Sequence, residues 1–186
     1  MHHLSRRAAL VALGSVAAAP AFAQGAGSDP SNTVYLETKD GRVTIRLRPD
    51  LAPKHVAQIK TLVQRGFYDG LTFHRVLPGF MAQTGDPKGN GTGGSDLPNV
   101  AAEFNATPFK RGTLGMARSQ DANSANSQFF ICFADASFLN GQYTAFGEVT
   151  SGMEVVDKVK KGNQGNNGAV SDPDKIVRMR LASDAR

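Results

Sequence analysis

Eight short apolar runs and only two segments of helical period predict a mainly β domain, built as an antiparallel barrel or sandwich. Three observations carry this expectation. The runs have strand length, Gly, Pro, Asn and Asp bound them, and two helices are too few to serve as the crossovers that parallel strands require. A chain of 186 residues also suffices for one domain with a substantial core.

The first element is a hairpin. Val34 and Leu36, then Val43, Ile45 and Leu47, alternate with polar neighbours on either side of Asp40-Gly41, a pair whose tolerance of positive φ favours a tight turn. The period then changes. Val56, Ile59, Leu62 and Val63 fall on one face at helical spacing, Pro53 sits where a first turn tolerates it, and Gly66 follows as a stop, so a helix is expected over residues 53–65. Further apolar runs place strands over 72–76, 80–84, 113–117, 128–133, 144–149 and 176–181. A second helix fits 152–160, with Val155, Val156 and Val159 inward.

Two long connections remain, 87–98 and 119–127, and long surface loops in a compact domain are often functional. The first holds Gly89-Asn90-Gly91-Thr92-Gly93-Gly94. It lacks Gly-Lys-Ser/Thr and does not clearly open a helix, so a nucleotide site is not expected.

The first residues stand apart from the domain. Arg6 and Arg7 precede an alanine-rich apolar run, and Ala21-Phe22-Ala23 has the small-x-small pattern of a signal peptidase site, so residues 1–23 read as a cleavable export signal. That run is shorter than the about 20 apolar residues of a membrane span, and no stable membrane insertion is expected. Ser5-Arg6-Arg7-Ala8-Ala9-Leu10 is similar to the twin-arginine signal, with Ala9 where a large apolar residue is usual, so that route and the general secretory one both stay open. Residues 24–32 read as a flexible leader to a domain over 33–186, and the expected destination is the periplasm.

Charge narrows the partners. The formal net charge is +5, and removing the first 23 residues, which hold Arg6 and Arg7 and no acid, leaves +3. Lys158-Val159-Lys160-Lys161 is not interleaved with aromatics, so no nucleic acid is expected. Cys132 is the only cysteine, which excludes an internal disulfide; within Phe129-Phe130-Ile131-Cys132-Phe133 it reads as a packed thiol. His55 and His74 lack metal-ligand spacing, and His74 reads as a satisfied interior histidine.

The candidate chemistry lies in Phe73-His74-Arg75-Val76-Leu77-Pro78-Gly79-Phe80-Met81-Ala82-Gln83-Thr84-Gly85-Asp86 and in Asn126-Ser127-Gln128-Phe129-Phe130-Ile131. These blocks set one arginine and two glutamines among Phe, Met and Leu, without a nucleophile, a base or a metal cluster. Together with Phe138-Leu139-Asn140-Gly141 and Phe146-Gly147 they resemble the signature of the cyclophilins, the peptidyl-prolyl cis-trans isomerases, from about Thr33 to Leu181. The resemblance implies an eight-stranded antiparallel closed β-barrel with a helix covering each end. It also implies catalysis of rotation about Xaa-Pro bonds without a cofactor.

Such a reaction needs unusual chemistry only in one respect. Rotation crosses a barrier of about 18–20 kcal/mol without breaking a covalent bond, so the site must bind the twisted imide better than either planar isomer. Twisting localises the lone pair on the prolyl nitrogen. Arg75, permanently charged and carrying a rigid fork of donors, suits its stabilisation, and the resemblance implies the same role. Gln83 and Gln128 are candidates to hold peptide carbonyls and to position the Arg75 guanidinium.

The resemblance places Phe80, Met81, Phe130 and Leu139 around the pyrrolidine ring, and Ala117 and Arg118 along the peptide groove. Arg118 stands where better-known eukaryotic members carry asparagine, and Phe138 and Tyr143 stand where many of them carry tryptophan and histidine. Phe138 lacks the indole N–H associated in the family with tight cyclosporin binding, so weak binding of that inhibitor is expected. The expected partners are proline-containing segments of folding proteins, and the expected state is a monomer, since nothing resembles a coiled coil or an added interface segment. A non-catalytic module or chaperone holding the same peptides is the first rival, but binding alone does not require Arg75. An envelope or polysaccharide-binding protein is the second, and no exposed aromatic platform supports it.

Overall fold

The opening hairpin forms as its alternation dictates. In the computed structural model, which describes residues 29–185, β1 (Thr33–Thr38) and β2 (Gly41–Leu47) pair antiparallel, with Val34 opposite Ile45 and Leu36 opposite Val43. The two-residue turn is Lys39-Asp40 rather than Asp40-Gly41. Thr38 pairs with Gly41, and its hydroxyl accepts from the Asp40 N–H while donating to the Gly41 carbonyl. The export signal expected over 1–23 and residues 24–28 of the leader lie outside the described residues. The leader's end is folded: Pro30–Asn32 makes one 3-10 turn capped by Asp29, and the Ser183 N–H donates to the Pro30 carbonyl.

Helix α1 (Pro53–Gln64) buries His55, Val56, Ile59, Leu62 and Val63, the predicted apolar face plus one histidine. Its own N-cap residue, Ala52, makes no side-chain cap. Glu103 supplies one from a distant loop: its carboxylate accepts the N–H groups of Lys54 (3.1 Å) and His55 (3.0 Å) and lies 2.6 Å from His55 Nδ1. Burial opposes ionisation of Glu103, but these bonds outweigh it and hold its carboxyl below the ordinary value.

The remaining elements are β3 (Arg75–Leu77), β4 (Met81–Thr84), β5 (Thr113–Met116), β6 (Phe129–Cys132), β7 (Ala145–Ser151), α2 (Met153–Lys158) and β8 (Arg178–Leu181). All eight strands join one antiparallel sheet in the order β3-β4-β6-β5-β7-β2-β1-β8. Irregularities at Thr44/Ile45 and Leu114/Gly115 interrupt the register where β7 meets β2 and β5, the places where a ladder bends. Among the described residues no helix is long and apolar enough to cross a membrane.

The expected closed barrel is corrected here, because the ladder is open between its edge strands β3 and β8. The segment 162–176, too rich in Gly, Asn, Asp and Pro to hold a strand, covers the β3 side instead. The Val76 N–H donates to the Gly168 carbonyl, the Val76 carbonyl accepts from Gly162, the His74 carbonyl accepts from Val170, and Phe73 donates to Asp174. Isolated bridges join Thr72 to Lys175 and Arg75 to Ala169. The edge's polar groups are thereby satisfied without a regular strand pair.

The period of two divides the apolar residues between two cores. Along β6, Phe129 and Ile131 enter the main core with Val34, Leu36, Ile59 and Phe146. Phe130 and Cys132 point the other way, into a smaller cluster with Met81, Phe109, Leu139 and Ala145. Cys132 is buried there, and burial pushes its thiol pKa up to about 12, as suits a packing residue. The smaller cluster is the floor of the cleft described next.

Candidate active site

Register builds the site. Arg75 on β3 lies opposite Gln83 on β4, Gln83 opposite Phe130 on β6, and Phe130 opposite Gly115 on β5, so four neighbouring strands contribute one row across the same face. A one-residue slip in any pairing would send a member of the row to the main core. The cleft above the row has a volume of about 1000 Å³.

Of the residues singled out in the sequence, Arg75, Gln83, Phe80, Met81, Ala117 and Arg118 line this cleft. Phe130, Phe138, Leu139 and Tyr143 line it as well. Phe130 (5% exposed), Met81 and Leu139 are nearly sealed, so they offer a preformed apolar surface, whereas Phe138 is 63% exposed at the rim and leans on Phe80 at 5.2 Å between ring centroids. Phe130 is backed by Phe109, stacked at 5.8 Å, and edged by Tyr143 at 6.0 Å.

Gln128 lies one step behind. Its Oε1 accepts from Gln83 Nε2 (2.8 Å), and its own Nε2 donates to the carbonyls of Gly91 (3.1 Å) and Gly93 (2.8 Å). Gln83 Oε1 in turn accepts from Arg75 Nη1 at 3.1 Å. The glycine-rich loop therefore anchors a relay that ends on the guanidinium, and this fixes both amides: Gln83 turns its oxygen to Arg75 and its nitrogen to Gln128, and Gln128 turns its oxygen to Gln83 and its nitrogen to the loop. Asp86 shapes that loop from below, accepting the N–H groups of Lys88, Asn90 and Gly91.

The second clasp on Arg75 comes from a residue the sequence reading does not single out. Asn167 accepts from Arg75 Nε through its backbone carbonyl (3.0 Å) and from Nη2 through Oδ1 (2.9 Å). It has φ 49° and ψ 32°, the left-handed conformation that asparagine tolerates better than most residues. Asn167-Gly168 signals a turn in the sequence, but nothing there says that the turn docks on β3. Burial lowers the Arg75 pKa from its ordinary value, with Tyr143 opposing, and leaves the group a cation held by neutral acceptors.

His74 is buried as expected but not satisfied: neither ring nitrogen has a hydrogen-bond partner among the described residues. Burial lowers its pKa against the opposing pull of Asp86 and the Thr72 backbone, so the ring is neutral beside Arg75. Arg118 turns along the rim. Its Nη1 donates to the Ser119 carbonyl (2.8 Å), its Nη2 to that of Gln142 (2.9 Å), and the guanidinium lies 4.5 Å from the centre of the Tyr143 ring.

Residues 33–181 match the family model described as cyclophilin type peptidyl-prolyl cis-trans isomerase/CLD. The chain belongs to that family. A probable peptidyl-prolyl cis-trans isomerase of Brucella suis is 58% identical, over 97% of this chain and 98% of its own. A peptidyl-prolyl cis-trans isomerase of Helicobacter pylori is 41% identical over 72% of this chain and 84% of its own. Among solved structures, cyclophilin AquaCyp293 from Hirschia baltica superposes with a TM-score of 0.75 at 30% identity, covering 84% of this chain and 76% of that one. A Cryptosporidium parvum cyclophilin crystallised in the presence of the dipeptide Ala-Pro gives 0.73 at 28% identity, covering 80% and 98%. This cyclophilin is accordingly a peptidyl-prolyl cis-trans isomerase.

Proposed function

We propose that the cleft binds Xaa-Pro segments with the pyrrolidine ring against Phe130, Met81, Phe80 and Leu139, and that Arg75 stabilises the twisted imide. The observation that carries this reading is the double clasp on Arg75. Asn167 and Gln83 take up three of its five N–H groups, which leaves one on each terminal nitrogen for the substrate, above an apolar floor. A charge-assisted hydrogen bond contributes about 1.5–3 kcal/mol, and each 1.36 kcal/mol is tenfold in rate, so Arg75 is assigned one to two orders of magnitude. Removal of water by the aromatic walls strengthens that bond, and positioning of the peptide supplies the rest. Gln83 acts on the reaction through Arg75.

The test is NMR exchange on a short Xaa-Pro peptide. Acceleration is expected; binding without acceleration would turn the cleft into a holding site and favour a chaperone role. The Ala-Pro present with the Cryptosporidium parvum relative supports proline-containing peptides as this chain's ligands. Cyclosporin is expected to bind weakly, because Phe138 puts a ring without a donor at the rim. A titration giving tight, stoichiometric inhibition would overturn that expectation.

We further propose that the enzyme works as a monomer on proteins folding in the periplasm. The support for export is the pattern of Arg6-Arg7, the apolar run and Ala21-Phe22-Ala23, and for a monomer the lack of any sequence resembling a coiled coil or an added interface segment. Intact-mass analysis of the protein recovered from the cell envelope should give a chain starting at Gln24, and a cytoplasmic full-length chain would count against export.

A further inference from the structure

The cleft carries a charge pattern that isomerisation of a neutral imide does not require. Its lining holds two arginines, Arg75 and Arg118, and no Asp, Glu or Lys among the described residues. Elsewhere Arg42, Arg46, Arg48, Arg65, Arg111 and Arg180 each sit at ion-pair distance from a carboxylate, with exposed Arg178 the exception among the described arginines outside the cleft. The cleft arginines do not. Arg75 is held by Gln83 and Asn167, and Arg118 by three backbone carbonyls and the face of Tyr143. These ligands orient a guanidinium without neutralising it.

Nearby acids are engaged elsewhere. Asp86 is 1% exposed beneath the glycine-rich loop and accepts three backbone N–H groups; Asp121, close to Arg118 in sequence, accepts from the Asn123 N–H. His74 contributes no charge. Arg118 Nε is buried without a partner, so part of this cation has lost its water and gained nothing in return. Positive charge in a concave site with apolar walls is focused outward, along the path by which a peptide enters. Arg75 has an assigned task at the imide, and Arg118 has none.

We propose that this groove selects Xaa-Pro segments that carry a carboxylate side chain within one residue of the proline, and that Arg118 supplies the selecting charge. The proposal rests on the cleft being the proline site. Selection works through the field of the guanidinium rather than through a bidentate pair, because Nη1 already donates to the Ser119 and Gln120 carbonyls and Nε is buried, which leaves a single free N–H, on Nη2. It is therefore a preference that salt weakens, in contrast to the apolar contacts of the pyrrolidine ring.

The test compares kcat/KM, by NMR exchange, for peptides that differ only in having Glu, Gln or Lys before or after the proline. At low salt Glu should exceed Lys about tenfold at one of the two positions, with Gln between, and the ratio should fall to about twofold near 1 M salt, where the screening length is about 3 Å. Arg118→Gln should remove most of the ratio, and Arg118→Lys should keep its sign. Equal rates for Glu and Lys at low salt, a ratio that salt does not change, or a ratio that survives Arg118→Gln would each overturn the proposal. Should Arg118→Gln fail to fold, because its guanidinium ties two loops together, the salt series on the native protein still decides. Failure of the underlying assignment looks different: no peptide, the Gln one included, would be accelerated.

Discussion

Replacing Arg75 by alanine is expected to lower kcat/KM about a hundredfold while changing the affinity for a proline peptide about threefold or less. The asymmetry follows from the geometry. In the proposed reading the apolar contacts that hold the ring belong to Phe130, Met81 and Leu139, whereas the two remaining N–H groups of Arg75 act on an imide whose nitrogen becomes an acceptor only when twisted. Arg75→Lys keeps the charge and loses the fork, so it cannot satisfy Gln83 and Asn167 while also serving the substrate, and most of the rate should still be lost. Equal losses in affinity and rate would make Arg75 a ground-state binding residue.

Asn167 separates the donor from its aim. Glycine is the informative replacement, because it keeps the left-handed backbone and the carbonyl on Nε while removing only Oδ1 from Nη2. Asn167→Gly is expected to reduce kcat by about three- to tenfold with KM nearly unchanged, a smaller loss than that of Arg75→Ala, in line with one neutral-to-charged bond given up. Asn167→Ala should fare worse despite making the same deletion, since a Cβ disfavours φ near 50°. If both variants behave alike, the backbone conformation is immaterial and the clasp is held by the rest of the segment.

The contrast between Arg75 and Asn167 shows what a sequence makes visible. Arg75, Gln83, Phe80 and Met81 fall within one short block whose apolar setting makes a charged residue conspicuous, and the period of two separates Phe129 from Phe130. The opening hairpin and the first helix are legible because each buries a periodic face, and β5 and β6 because they are short continuous apolar runs, buried throughout. Asn167 lies 92 residues from Arg75 in a segment without period, and its role depends on that segment docking along β3. The same docking leaves the ladder open where a closed barrel is expected, so one aperiodic stretch accounts for both differences. Gln128 illustrates a subtler limit: its place beside Phe129 is legible, but whether it faces substrate or supports Gln83 depends on the glycine-rich loop that takes its amide. The Lys39-Asp40 turn is a shift of one residue, set by the pairing of Thr38 with Gly41 rather than by turn preference.

Gly115 ties the proposed proline pocket to the sheet. A Cβ on Gly115 would stand 2.3 Å from Phe130 Cζ and 2.6 Å from Phe109 Cε1, because both rings lie over the glycine where any side chain would project. Gly115→Ala is therefore expected to destabilise the domain by about 1–3 kcal/mol, the ordinary cost of an overpacked core, and to lower Tm by roughly 3–10 °C. The strand cannot retreat, since β5 is paired on both sides, with β6 and with β7. The rings must yield instead, and the open side available to Phe130 is the cleft. A displaced Phe130 would occupy the space meant for the pyrrolidine ring, so KM should rise about tenfold or more, the worth of one apolar group in a pocket, even in the fraction of molecules that remain folded. Shortening the ring in a Gly115→Ala, Phe130→Leu double variant should recover part of Tm without restoring KM, because it relieves the contact with Phe130, leaves Phe109 room to move toward the vacated space, and leaves the pocket without its wall. Thermal melts and peptide titrations on the two variants check both halves, and an unchanged Tm with unchanged KM in Gly115→Ala would show that the stacked rings can shift together at no cost.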